Sequence, residues 1–215
     1  MPILLVIGKL LWQGPGFQDS ISSYYYTVMR DVLVGSLCAI GVFLWSYKGY
    51  DDPDWLLPSA KVPDWLRPFA KVTDNRASNL AGASAIGVAL FPTTPGTDPT
   101  TLRELTGNES YGGLHVAFAA LFFISLAYMS IRLFTKHDPE KEGPTPEQQR
   151  RNPIYKACGW AILVCIALIA GVWFLPSDSP IRQAYPVLWL EWGAILAFSI
   201  SWFTKGLRQA DEQQA

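Results

Sequence analysis

Tyr185-Pro-Val-Leu-Trp-Leu-Glu-Trp-Gly-Ala-Ile-Leu-Ala-Phe-Ser-Ile-Ser-Trp-Phe-Thr204 is the stretch that decides the fold. It has about the 20 residues that a helix needs to cross roughly 30 Å of hydrocarbon. Its one acidic or basic residue, the carboxylate Glu191, lies well inside. A carboxylate at that depth costs roughly 2.5–3.5 kcal/mol and normally faces a partner or a wet cavity. The stretch therefore predicts a spanning helix and singles out Glu191 as a residue that needs an explanation.

The rest of the chain follows the same pattern. Of 215 residues, 50% are hydrophobic and 16% charged, and the apolar residues come in blocks instead of the amphipathic spacing of a soluble domain. Gly113–Phe134 and Ala157–Leu175 are further blocks of spanning length. Asp31–Tyr47 and Ala77–Phe91 are shorter. Pro2–Trp12 makes only about 17 Å of helix. Lys9 lies inside this first block and no small-residue cleavage site follows, which argues against a signal peptide. We read the block as the second half of a first span, shortened by mismatch or by a native start upstream of Met1. Residues Gln13-Gly-Pro-Gly-Phe17 resemble an interfacial turn.

The basic residues between blocks alternate. Arg30 stands alone, then come Lys48, Lys61, Lys71, Arg67 and Arg76, and then Arg103 alone. Arg132, Lys136, Lys141, Arg150, Arg151 and Lys156 follow, then Arg182 alone, then Lys205 and Arg208. Such alternation is what the positive-inside rule produces. The prediction is an all-α, polytopic transmembrane bundle of about six spans, the first one short, forming a single domain over 1–215 with both termini cytoplasmic. Five spans also fit if the first block only dips into the outer leaflet. Trp12, Trp45, Trp173 and Trp202 suit interfacial belts.

The cytoplasmic loop 48–76 holds a tandem decapeptide, Pro53–Val62 and Pro63–Val72, with Trp55 and Trp65 at matching positions. Two copies are too few for a solenoid, and the reading is a duplication in a tolerant loop. The charged cytoplasmic loop 135–156, with Pro139, Pro144 and Pro146, reads as a flexible linker. The loop Thr93–Glu109 is expected to be external and irregular, its Asn108-Glu-Ser110 sequon mattering only in a glycosylating pathway. The tail Gln209–Ala215 is expected to fray. Helix Ala77–Phe91 carries Ala81, Ala85 and Ala89 at four-residue spacing beside Gly82, a pattern for close helix packing.

This topology gathers ionisable groups at one membrane face. Glu191 lies about 9 Å inward from the outer end of its helix. His115 opens another helix from that side, as do Arg30 and Asp31, preceded by the polar and aromatic run Asp19–Thr27. The expected pocket is lined by Glu191, His115, Arg30, Asp31, Tyr24, Tyr26 and Ser22. The competing structural reading has Arg30 neutralising Asp31 or Glu191, and His115 bonding a backbone carbonyl.

Composition excludes several functions. A net charge of -1 gives no case for nucleic-acid binding. Cys38, Cys158 and Cys165 all lie in apolar blocks, which argues against a disulfide framework. The two histidines, His115 and His137, fall about 33 Å apart along one helix direction, so they cannot share one haem or zinc. No metal site and no cofactor are expected, and no Walker loop, dinucleotide fingerprint or nucleophile elbow is present.

Ser20–Gly35, Gly41–Tyr50, Asn79-Leu-Ala-Gly82, Ala89-Leu-Phe-Pro92, Leu114-His115, Trp189-Leu-Glu191 and Ser201–Gly206 together carry a likeness. By these elements the chain resembles an uncharacterised bacterial family of small multi-pass inner-membrane proteins. More distantly it is similar to the Frag1/DRAM/Sfk1 group. Members often have histidine where this chain has Tyr26, and usually a fuller first helix. The resemblance implies a bacterial inner-membrane location and no particular activity.

The expectation is thus an integral membrane protein, more a binder than an enzyme, whose outward pocket takes a lipid headgroup or a small polar ligand. One alternative is a membrane-embedded lipid hydrolase with a metal held by His115, Glu191 and Asp31. Another is a proton-coupled carrier that titrates Glu191.

Overall fold

The computed structural model describes residues 1–47, 74–93, 108–136, 146–176 and 178–214. The tandem decapeptide, most of the loop after Thr93 and the loop centred on 137–145, including His137, lie outside the described residues. The described chain is all helical. Helix α1 is Pro2–Trp12, α2 Arg30–Ser46, α3 Asp74–Leu90 and α4 Asn108–Tyr128. Helix α5 is Pro146–Val172 and α6 is Pro186–Gln214. Short turns add Ser22–Tyr26, a 3-10 turn before α2, and Pro180–Gln183, a single turn before α6.

Prolines open α1, α5 and α6. Proline suits a first turn because its missing N–H would lack a helical partner there anyway. Helix α5 starts eleven residues before its apolar block (Pro146 against Ala157), so the second half of the expected 135–156 linker is helix. The local cause is strong helix formers, with Glu147 and Arg151 paired at 2.5 Å one turn apart. The tail expected to fray continues α6 to Gln214. The sequon residues Asn108–Ser110 form the first turn of α4.

Among the described residues, three stretches are long and apolar enough to cross a membrane: Gly112–Leu133, Pro146–Val172 and Pro186–Gly206. Helices α2 and α3 have 17 residues each, about 25 Å of rise. By length and composition this is a membrane protein.

Consecutive helices run up and down. The end of α2 meets the start of α3, where the Ser78 hydroxyl donates to the Tyr47 carbonyl at 3.1 Å. The end of α3 meets the start of α4 at His115. Phe134, just past α4, stands edge-on to Tyr155 early in α5 at 5.8 Å. Trp202, late in α6, returns to Tyr47 at 5.0 Å and Phe134 at 5.6 Å. The bundle therefore has two ends, one marked by Glu191 and the other by Lys205. Trp202 sits inside this aromatic cluster, whereas Trp12, Trp45 and Trp173 are exposed, as an interfacial belt requires. Lys205 is buried, its ammonium 5.9 Å from the centre of the Phe134 ring.

Small residues hold α2 against α3. A Cβ added at Gly41 would meet the Gly82 carbonyl at 2.8 Å, so the backbones approach as only glycine allows. Ala81, Ala85 and Ala89 are buried on the same helix, as their four-residue spacing predicts. Helix α4 ends in a π-helical turn, Met129–Leu133, closed by the Phe134 N–H on the Met129 carbonyl at 2.9 Å. Cys38, Cys158 and Cys165 are free thiols.

Helix α1 ends in a turn built on Lys9. Its ammonium donates to the carbonyls of Gly14, Pro15 and Gly16 at 3.1, 3.0 and 2.8 Å. Three carbonyls satisfy all three donors of a lysine, which makes its place in an apolar helix affordable. The interfacial turn expected at Gln13–Phe17 is thus wrapped around a side chain from the block before it. Gly14 and Gly16 have φ of +94° and +111°, the left-handed region that this wrapping needs.

Candidate functional site: the Glu191 end of the bundle

The Asp19–Thr27 run folds on itself first. The Ser20 hydroxyl accepts the Ser23 N–H at 3.1 Å and bonds the Ser23 hydroxyl at 2.8 Å. The Thr27 hydroxyl donates to the Tyr24 carbonyl at 2.7 Å and accepts the Met29 N–H at 3.1 Å, leading into α2 at Arg30. Such short side-chain bonds replace helix or sheet pairing in serine- and threonine-rich runs. Tyr24 and Tyr25 are buried by this turn. Burial raises the Tyr24 phenol above its ordinary pKa, the Gln18 backbone opposing more weakly.

Helix α6 then clamps the run. The Leu188 N–H donates to the Asp19 carbonyl at 3.1 Å, which satisfies one of the first-turn donors left over at any helix start. Glu191, one turn further, accepts the Ile21 N–H on Oε2 at 2.5 Å. Glu191 is partly buried and has no ion-pair partner among the described residues. The carboxylate that stood out in the sequence holds a loop by its backbone.

Arg30 takes a different partner from those expected. Its Nη2 donates to the Tyr25 hydroxyl at 2.5 Å, with the guanidinium carbon 4.3 Å from the centre of that ring. Among the described residues it pairs with neither Asp31 nor Glu191. Asp31 is exposed in the first turn of α2, where a negative charge favours the helix dipole. Ser22 is partly buried and opens the 3-10 turn.

His115 and Tyr26 converge on one short segment. The His115 Nδ1 lies 2.6 Å from the Phe91 carbonyl, and the Tyr26 hydroxyl donates to the Thr93 carbonyl at 2.5 Å. An acceptor at Nδ1 requires the proton there. Both bonds satisfy carbonyls at or just past the end of α3, which no helical N–H can reach. Phe91 also stacks on Phe118, ring centres 5.5 Å apart. His115 thus bonds a backbone carbonyl, the structural alternative for it. No three His, Cys, Asp or Glu residues among the described ones are grouped to hold a metal, His115, Glu191 and Asp31 included.

Beside this framework a groove of about 290 Å³ opens between the end of α5, the Pro180–Gln183 turn and the start of α6. Asp19, Trp173, Arg182, Gln183 and Tyr185 supply its polar and aromatic lining. None of the residues expected to line a pocket is in that lining; Glu191, Arg30, Tyr26 and His115 make the hydrogen bonds described above, and Asp31 is exposed. Asp19 and Arg182 have no ion-pair partner among the described residues, each other included. Arg182 makes one long bond, Nη1 to the Leu175 carbonyl at 3.4 Å. Tyr185 has φ of +54°, a conformation that costs a bulky residue about 1–3 kcal/mol and persists where surrounding contacts enforce it. Phe17 supplies such contacts, edge-on to Tyr185 at 5.9 Å and to Trp189 at 5.6 Å. The groove is not legible in the sequence, because Asp19 and Arg182 are 163 positions apart by their numbers. The available signal was two opposite charges in connections assigned to one face.

These helices and this end-of-bundle site define a helical membrane protein with a groove where two helix ends meet, its mainly apolar lining carrying the charged residues Asp19 and Arg182. Compared with known proteins, the chain matches no family model, no curated protein and no solved structure.

Proposed function

We propose that the chain is a polytopic protein of the bacterial inner membrane, with about six spans and both termini cytoplasmic. Its outward-facing groove binds a lipid headgroup or a small polar ligand. The proposed placement in that bacterial family rests on the sequence elements alone. The observation that carries the binding reading is the groove itself, where among the described residues an acid, Asp19, and a base, Arg182, have no ion-pair partner. Its volume of about 290 Å³ is near the lower bound of roughly 300 Å³ for ligand sites. Asp19 is exposed and Arg182 half-buried, so both charges are open to a ligand entering from outside.

The orientation is supported by the described basic residues. Arg76, Arg132, Lys136, Arg150, Arg151, Lys156 and Lys205 cluster toward the Lys205 end, while Lys9, Arg30 and Arg182 stand at the Glu191 end. The positive-inside rule turns the first end to the cytoplasm. Single cysteines at Gln183 and Gln149, in a chain with its three native cysteines replaced, test this. An impermeant maleimide should label position 183 in intact cells and position 149 only after permeabilisation, and the reverse result would sink the orientation. Binding is tested by thermal shift of purified protein against lipids and polar metabolites. Gln183→Trp, which fills the groove, should abolish any ligand-induced stabilisation; if stabilisation survives unchanged, the ligand sits elsewhere.

A further inference from the structure

Resting on that reading of the groove, we infer that its ligand is a zwitterion carrying a phosphodiester and an ammonium, supplied as the headgroup of a membrane phospholipid. Arg182 is the phosphate end. Guanidinium presents five donors in a planar fork suited to phosphate oxygens, and among the described residues its one bond, to Leu175 at 3.4 Å, leaves most of them unused. Asp19 is the ammonium end. Its backbone carbonyl is fixed by the Leu188 N–H at 3.1 Å, and the Ile21 N–H two residues on is fixed by Glu191, so the carboxylate is presented from an anchored backbone. Trp173 and Tyr185 also line the groove, and aromatic rings are side chains that attract alkylammonium groups. A simple anion would meet repulsion at Asp19 and a simple cation repulsion at Arg182. A ligand with both charges satisfies both.

The rim indicates where the ligand comes from. Phe174 is 89% exposed, Trp173 60%, Ile181 56% and Trp189 48%. Trp173 lines the groove, and Phe174 and Ile181 adjoin its lining residues Trp173 and Arg182 in the chain, so acyl chains would lie against these apolar side chains while the headgroup enters. Tryptophan is the residue most at home at that depth.

The test uses the full chain in detergent micelles, with binding read by native mass spectrometry. The probes are dioleoyl phosphatidylethanolamine, phosphatidylcholine and phosphatidylglycerol, with water-soluble glycerophosphoethanolamine alongside. Arg182→Gln should weaken all three lipids about tenfold, the scale of one charge-assisted hydrogen bond. Arg182→Lys, which keeps the charge, should retain part of the affinity. Asp19→Asn should weaken the two zwitterionic lipids about tenfold and leave phosphatidylglycerol unchanged or tighter. An Asp19→Asn effect equal on all three lipids, or absent from all, overturns the zwitterion while leaving the groove as a phosphate site. Indifference of every lipid and of the soluble compound to Arg182→Gln overturns the groove reading itself. Glycerophosphoethanolamine binding as tightly as the diacyl lipid overturns the membrane source. A thermal midpoint within 2 °C of the parent, roughly the span of a surface change, shows that each variant compared is folded.

Discussion

The Glu191 carboxylate accepts the backbone N–H of Ile21, 170 positions earlier in the chain. A charge that would be costly in a bare helix is thereby placed where it satisfies a backbone donor, and the loop carrying Asp19 is tied to the helix that starts beside the groove. A partner of this kind is invisible in composition, because every residue except proline carries an N–H.

Glu191→Gln keeps a carbonyl acceptor for Ile21 and should change stability by under about 1 kcal/mol. Glu191→Ala leaves that N–H unpaired and should destabilise by about 1–3 kcal/mol, with faster hydrogen exchange at Ile21–Tyr26. Denaturant titration in mixed micelles with exchange mass spectrometry gives both readouts. Equal behaviour of the two variants would show that charge, and not the hydrogen bond, is what matters at 191.

Lys9→Met removes the donor that gathers Gly14, Pro15 and Gly16. The turn should open, with a loss of about 1–3 kcal/mol for the carbonyls left behind and earlier proteolysis between Gln13 and Phe17. Unaltered protection of that turn would show that the two left-handed glycines hold it unaided.

Tyr26→Phe and His115→Phe each remove one bond to the segment after α3. Each should cost about 1 kcal/mol. The double variant should exceed the sum of the singles by about 0.5 kcal/mol or more, since both grip one short segment and neighbouring bonds couple. Strict additivity in a double-mutant cycle would mean that Phe91 and Thr93 are held independently.

Gly82→Val places a branched side chain where even a Cβ would lie 2.5 Å from the Gly41 carbonyl. Separation of α2 from α3 should follow, with a loss of about 1–3 kcal/mol or more and little folded protein by size-exclusion chromatography. Gly113→Ala, with nothing within 4 Å of its Cβ, is the matched control and should fold normally. Wild-type yield from Gly82→Val would mean that the α2–α3 contact is dispensable.

Much of the site was legible as a list of residues and little of it as a set of contacts. The run Asp19–Thr27, His115 and Glu191 all belong to one end of the bundle, as the alternation of basic residues predicts. Their partners were not legible: Ile21, Phe91 and Thr93 contribute only backbone atoms, and Tyr25 rather than a carboxylate takes Arg30. The groove was missed for a related reason. Its lining comes from the residues between helices, and a lone Arg182 in a short connection carries no periodicity or motif.

Block length and hydropathy by themselves determined that this chain is a helical membrane protein, because roughly 20 apolar residues leave backbone polar groups no partners in lipid except those within a helix. Residue spacing likewise determined the small-residue seam along α3. Only the tertiary structure decided that Glu191 braces a loop, that Lys9 organises a turn behind its own helix, and that Asp19 and Arg182 face one groove. Hydropathy is a property of each residue along the chain, whereas a hydrogen-bond partner or a shared cavity depends on which distant segments the packed helices bring together.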